Sequence, residues 1–113
     1  MSFLSKLFGS SASSDYIKVL GIEDFKAGIA NKGTQLIDVR TASEFKSGAI
    51  ANAKNIDFFN RAAMETAFKK LDSSKPVYLY CRSGNRSGKA AKILVTLGFN
   101  EVYDLRGGYT SWR

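Results

Sequence analysis

The stretch VYLYCRSGNRS, residues 77–87, decides how the chain folds. Val77 to Tyr80 is β-branched and aromatic enough for a central strand, and it runs directly into a short polar loop that begins at Cys81. A helix then opens, with Ala90, Ala91, Ile93, Leu94 and Leu97 on one face. Gly98 is its expected left-handed stop, and Phe99 is the hydrophobic contact that follows. Strand, loop and helix in that order form the repeating unit of an α/β domain.

The same alternation continues in both directions. Upstream, Tyr16–Leu20 reads as a short strand, and Ile22, Phe25 and Ile29 fall at helical spacing with Glu23 and Asp24 at the helix's positive end. Asn31, Lys32 and Gly33 make the turn after it. Gln35–Val39 reads as a buried strand, and Thr41 with Glu44 makes a capping box ahead of a short helix, Ala42–Ser47, ending at Gly48. Lys54–Ile56 is a brief extended piece, and Met64, Ala67, Phe68 and Leu71 form the stripe of a further helix. After the breaker-rich turn Asp72–Pro76 comes the deciding stretch; Glu101–Leu105 is the last strand, and Gly107 and Gly108 turn the chain toward Tyr109–Trp112. The expected fold is α/β, with a central, mostly parallel sheet of about five strands and helices on both faces.

With 113 residues, 44% of them hydrophobic and one proline, the chain has the size and composition of one globular domain. Residues 15–113 are expected to form it, behind a flexible leader, residues 1–14, in which Phe3, Leu4, Leu7 and Phe8 precede a Gly/Ser/Ala run. That leader is too short to span a bilayer, and Lys6 interrupts its apolar run, so no stable membrane insertion is expected. The formal charge of +7 comes from 17 Lys and Arg spread along the chain, not gathered in a stripe, and reads as a solvated basic surface rather than a nucleic-acid interface. One cysteine has no internal disulfide partner, which points to a reduced, cytoplasmic setting. The absence of histidine removes Cys/His and Ser/His/Asp nucleophiles and the common His-containing zinc sites together.

Chemistry therefore falls to residues 81–87. A cysteine between a strand end and a helix start sits where backbone N–H groups and the helix dipole stabilise an anion. A thiol ordinarily titrates near pH ~8.5, and Arg82 and Arg86 are placed to lower that value. Gly84 and Asn85 are residue types that adopt left-handed conformations and turn successive N–H groups inward. Ser83 and Ser87 add hydroxyl donors, and Ser87 is a candidate helix cap. The plainer reading, a buried structural thiol at a strand end, does not account for two arginines in the same loop. Asp38 and Arg40 are read as structural support, with an Arg40–Glu44 ion pair tying strand to helix. The Gly107, Gly108 and Trp112 cluster reads as a turn and a core aromatic.

The loop CRSGNRS resembles the active-site loop of single-domain rhodanese-like sulfurtransferases. The resemblance extends through Ile37-Asp38-Val39-Arg40 with Glu44-Phe45, then Gly48-Ala49-Ile50 with Ala53 and Asn55-Ile56, to Leu105-Arg106-Gly107-Gly108 ahead of Trp112. It departs at Ala49, where the family usually has histidine; because that histidine is not the family's nucleophile, the change bears on packing around residues 48–56. The resemblance implies that Cys81 takes the outer sulfur of a small anionic donor such as thiosulfate, and that a thiol, a protein or cyanide removes it from the persulfide. It implies no metal and no organic cofactor. A cysteine phosphatase is disfavoured because its loop has one residue more between cysteine and arginine than the four, Arg82 to Asn85, found here. A persulfide carrier or regulatory module is the other alternative, and neither oligomeric state nor physiological partner is encoded in these motifs.

Overall fold

A computed structural model describes residues 15–113; the expected leader, residues 1–14, lies outside the described residues. The elements are β1 (Ile17–Leu20), α1 (Ile22–Ile29), β2 (Gln35–Asp38), α2 (Ala42–Lys46), β3 (Lys54–Asn55), α3 (Arg61–Lys69), β4 (Val77–Tyr80), α4 (Asn85–Thr96) and β5 (Val102–Leu105). A 3₁₀ turn, Gly108–Ser111, follows β5. The five strands form one sheet in the order β1-β5-β4-β2-β3, and every pair is parallel.

β4 occupies the middle of that sheet and is buried on both faces, which is why its sequence has no polar alternation. On one face Ile37, Val77, Leu79 and Val102 pack against Met64 and Phe68 of α3 and Ala90, Ala91 and Leu94 of α4. On the other, Leu36, Tyr78, Tyr80 and Leu105 pack against Phe25 of α1. Strand order also fixes where a ligand can sit. The chain leaves β2 for β3 on one side and leaves β4 for β5 on the other, and an open parallel sheet binds ligands outside the carboxyl ends at such a divergence.

Element identities follow the sequence reading, and several ends differ by a residue. β1 begins at Ile17, β3 stops at Asn55, and β5 begins at Val102. Val39 lies beyond β2, although its N–H still reaches Tyr80 O at 3.0 Å. The Thr41–Glu44 capping box is present with both reciprocal bonds. The largest shift is at α4, which opens at Asn85, so Ser87 lies inside the first turn and does not cap it.

α1 approaches the sheet through Gly28. A Cβ placed there would lie 2.2 Å from the Tyr78 hydroxyl oxygen, and Tyr78 is itself wedged between Phe25 at 5.4 Å and Tyr103 at 4.6 Å between ring centroids. Gly28→Ala is therefore an overpacking change, expected to destabilise the domain by about 1–3 kcal/mol despite alanine's higher helix propensity. Urea unfolding of the two proteins measures this, and a more stable variant would show that Tyr78 swings aside freely.

Candidate active site

Cys81 follows the last residue of β4 and is 1% exposed. Three residues later the chain reverses at Gly84, whose φ of 112° belongs to the left-handed region. That reversal aims the Gly84 N–H back at Cys81 Sγ, 3.0 Å away, and starts α4 in the same step, with the Gly88 N–H donating to Gly84 O at 3.1 Å. Asn85 takes no part in the reversal. It is the first helical residue, and Gly84 alone supplies the positive φ that the loop needs.

Burial pushes the Cys81 thiol up, but the Ser87 hydroxyl and the N–H groups of Ser87, Gly84 and Ser83 together bring it below its ordinary value. Hydrogen-bond donors of the loop and the first helical turn thus act most strongly on the thiol, and the Arg86 guanidinium adds a favourable charge interaction with the sulfur. Ser87 is fully buried, which explains a serine inside a helix: its hydroxyl stands beside Sγ and reaches Gly84 O at 3.3 Å. Ser83 and Arg82 lie on the exposed side of the loop.

Arg86 is committed elsewhere. Its guanidinium makes a two-pronged pair with Glu44, at 2.8 Å and 3.0 Å, and lies over the Phe59 ring at 5.4 Å. Glu44 is fixed in turn by the capping box, accepting from the Thr41 N–H at 3.0 Å. The Arg86 guanidinium, opposed by partial burial and helped by Thr41, holds the Glu44 carboxyl at about 2. The expected Arg40–Glu44 pair is not formed. Arg40 instead folds back on Asp38, with Nη2 at 2.7 Å and Nε at 3.0 Å from Oδ2, because two residues along extended chain bring both side chains to the same side.

The Arg40–Asp38 pair is almost wholly buried, and such a pair persists only where its remaining hydrogen-bonding capacity is satisfied. Arg40 Nη2 donates to Gly48 O at 2.6 Å, and the guanidinium stacks 4.4 Å from the centre of the Tyr109 ring. The Tyr80 hydroxyl accepts the Ile50 N–H at 3.0 Å. Backbone on both sides of Ala49 is therefore held without a histidine. Asn55 joins the end of β2 to β3 by donating to Asp38 O and Arg40 O, at 3.0 Å and 2.9 Å.

The final segment braces the loop from outside, a role that reading it as a turn missed. Tyr109 N–H donates to Cys81 O at 2.8 Å and Thr110 N–H to Arg82 O at 3.1 Å. Gly108, at φ 61°, lies so close that a Cβ would meet backbone atoms of Cys81 and Arg82 at 2.6 Å. Paired glycines before an aromatic residue carry a trace of this in the sequence, but the contact itself joins distant segments. Between the brace and α2 lies a cavity of about 300 Å³ whose lining includes Arg82, Ser43, Ser47 and Thr110. A larger one of about 520 Å³, lined in part by Lys26, Leu36 and Trp112, holds no residue of the loop.

Glu44→Gln keeps the capping box and removes only the charge opposite Arg86. Because the pair is partly solvent-exposed, the loss near neutral pH is expected to be about 1 kcal/mol. A carboxyl whose folded value is lowered stabilises fully above its unfolded value, 4.5, and loses that contribution as pH falls toward about 2. Denaturant unfolding across this range should show the wild-type advantage shrinking as pH drops; a constant gap would assign the difference to packing.

Residues 22–113 match the family described as Rhodanese-like domain. The uncharacterized protein YqhL of Bacillus subtilis is 41% identical over 96 residues, covering 85% of this chain and 72% of its own. The thiosulfate sulfurtransferase GlpE of Pseudomonas savastanoi pv. phaseolicola is 36% identical over 85 residues, covering 75% of this chain and 77% of its own. Among solved structures, a rhodanese-related protein from Thermoplasma volcanium superposes with a TM-score of 0.72 at 33% identity, over 84% of this chain and 89% of that one. The parallel five-stranded sheet, the loop at the end of its central strand and these matches agree: the chain belongs to the rhodanese-like family.

Proposed function

We propose that the protein is a sulfurtransferase that moves sulfane sulfur from a small anionic donor such as thiosulfate to a thiophilic acceptor through a persulfide on Cys81. The observation that carries this reading is the donor ring around Sγ, closed by the Gly84 N–H at 3.0 Å. The Cys81 thiolate attacks the outer sulfur of thiosulfate; the S–S bond breaks, and sulfite leaves with its electron pair. Cyanide or a thiolate then attacks the outer sulfur of the persulfide and returns Cys81 as thiolate. The inward N–H groups stabilise the negative charge at both stages, since it stays within the loop whether it rests on Sγ or on the sulfur attached to it. GlpE of the Pseudomonas relative bears the name of this activity, which supports the reading. The unpaired thiol fits a reducing, cytoplasmic compartment.

A persulfide carrier that hands sulfur to a protein partner is the second reading. Arg86 favours it, because its charge is met by Glu44 and so offers less to a free anion. Thiocyanate release from thiosulfate and cyanide decides between the two. Turnover lost in Cys81→Ser establishes the enzyme, whereas an intact-mass gain of one sulfur without thiocyanate establishes the carrier. No adduct and no product would defeat both.

With Arg86 paired and Arg40 buried, Arg82 is the exposed cation of the loop and is expected to attract the donor. Arg82→Ala should raise KM for thiosulfate about tenfold, equivalent to roughly 1.4 kcal/mol, with kcat little changed. Arg86→Ala should lower kcat as well, because it releases the first turn of α4 from Glu44. Equal effects of the two substitutions on both constants would contradict this division.

A further inference from the structure

Asp104 of β5 is 5% exposed, and its Oδ1 is a buried side-chain oxygen without a hydrogen-bond partner. The carboxyl lies on the sheet face covered by α4, with Oδ2 at 3.9 Å from where a Cβ of Gly88 would stand. Its register neighbours are Val19 on β1 and Leu79 on β4, and the polar group that meets it is the Ser87 hydroxyl. Around it, β1 and β4 offer no charge at those positions, and Lys89 and Lys92 of α4 are exposed. Burial, opposed only by Ser87, raises the carboxyl to about 6.

Ser87 is thus shared. Its hydroxyl donates its single proton to Gly84 O at 3.3 Å, and Cys81 Sγ and the Asp104 carboxyl are the other acceptors beside it. An ionised Asp104 competes for that proton and withdraws a donor from the thiolate. A protonated Asp104 donates to Ser87 Oγ and leaves the Ser87 proton free for Sγ. We propose that Asp104 is a positioning residue for the Cys81 nucleophile, acting through Ser87, so that the protonation of this buried carboxyl and the ionisation of the thiol favour each other. The assignment rests on Cys81 being the reactive group and adds a component that neither the loop motif nor its arginines contain.

A carboxyl with a raised folded value also destabilises the fold as pH climbs from its unfolded value, 3.8, through about 6. Packing alone would be served better by an uncharged residue there.

Asp104→Asn retains the shape and removes the ionisation. In that variant the midpoint of thiolate absorbance should fall by about half to one pH unit. Iodoacetamide should then alkylate Cys81 roughly three- to tenfold faster near neutral pH, and the wild-type inflection near pH 6 should vanish from the alkylation profile. Ser87→Ala should abolish the difference between the aspartate and asparagine backgrounds, a result that a purely structural Asp104 would not give. Superimposable profiles for wild type and Asp104→Asn would overturn the proposal. Should that variant not fold, the unsubstituted chain still decides: the Asp104 carboxyl carbon resonance must move at the thiolate midpoint and lose that movement in Cys81→Ala. A flat Asp104 resonance across that midpoint would overturn it equally. None of these measurements uses a sulfur donor, so failure of the thiocyanate assay leaves their outcome intact.

Discussion

The hydrogen bond from the Gly84 N–H to Cys81 Sγ, at 3.0 Å, is the constraint around which the rest of the site is arranged. It requires a chain reversal three residues after the cysteine, which only a left-handed residue makes at low cost. The reversal leaves α4 pointing its free N–H groups at the sulfur. It also leaves the outer edge of the loop as naked backbone, and that edge is covered by Gly108, Tyr109 and Thr110. Two glycines with positive φ, one inside the loop and one against it, therefore serve a single geometry.

Three carboxylates around this loop have been sorted by their surroundings. Asp38 is buried against Arg40, and the pair holds the end of β2 to the 48–50 segment. Glu44, partly exposed, meets Arg86 and clamps α2 to the first turn of α4. Asp104 has no cation and only a serine. A charge placed near a nucleophile either changes its ionisation or fixes its frame. Here the two best-paired arginines fix the frame, while neutral donors do most of the electrostatic work on sulfur and Arg86 adds to it.

How much of this was legible in the sequence depends on the range of each interaction. β4, the loop and α4 could be read because strand propensity, a breaker-rich loop and helical periodicity are local, and the Thr41–Glu44 capping box could be read because its partners are three residues apart. The partner of Glu44 could not. Arg86 is 42 residues away, and proximity in sequence favoured Arg40, which extended geometry turns toward Asp38. Ser87 as a cap was a local inference defeated by Gly84, whose reversal starts the helix three residues earlier. Gly108 and Asp104 were unreadable as site residues for the same reason: each matters through contact with another element of the fold.

A chain without histidine has no side chain whose unperturbed pKa lies between pH 5 and 8, so any dependence of the nucleophile on pH in that range must come from a displaced group. Exposed arginines cannot supply it, because they stay charged throughout. A carboxyl can, provided that it is buried without a cation, and the sheet face that α4 covers offers such a place beside the nucleophile. β5 lies next to β4 in the sheet, and its residue 104 is in register with Leu79, two residues before Cys81 on that face. Side chains two residues apart on a strand share a face, so Leu79 and Cys81 point the same way, and Ser87 in the first turn of α4 closes the gap between Cys81 and Asp104. The early start of α4, forced by Gly84, is what brings Ser87 to that position; a helix beginning three residues later would have spent the serine on its cap and left carboxyl and thiol unconnected.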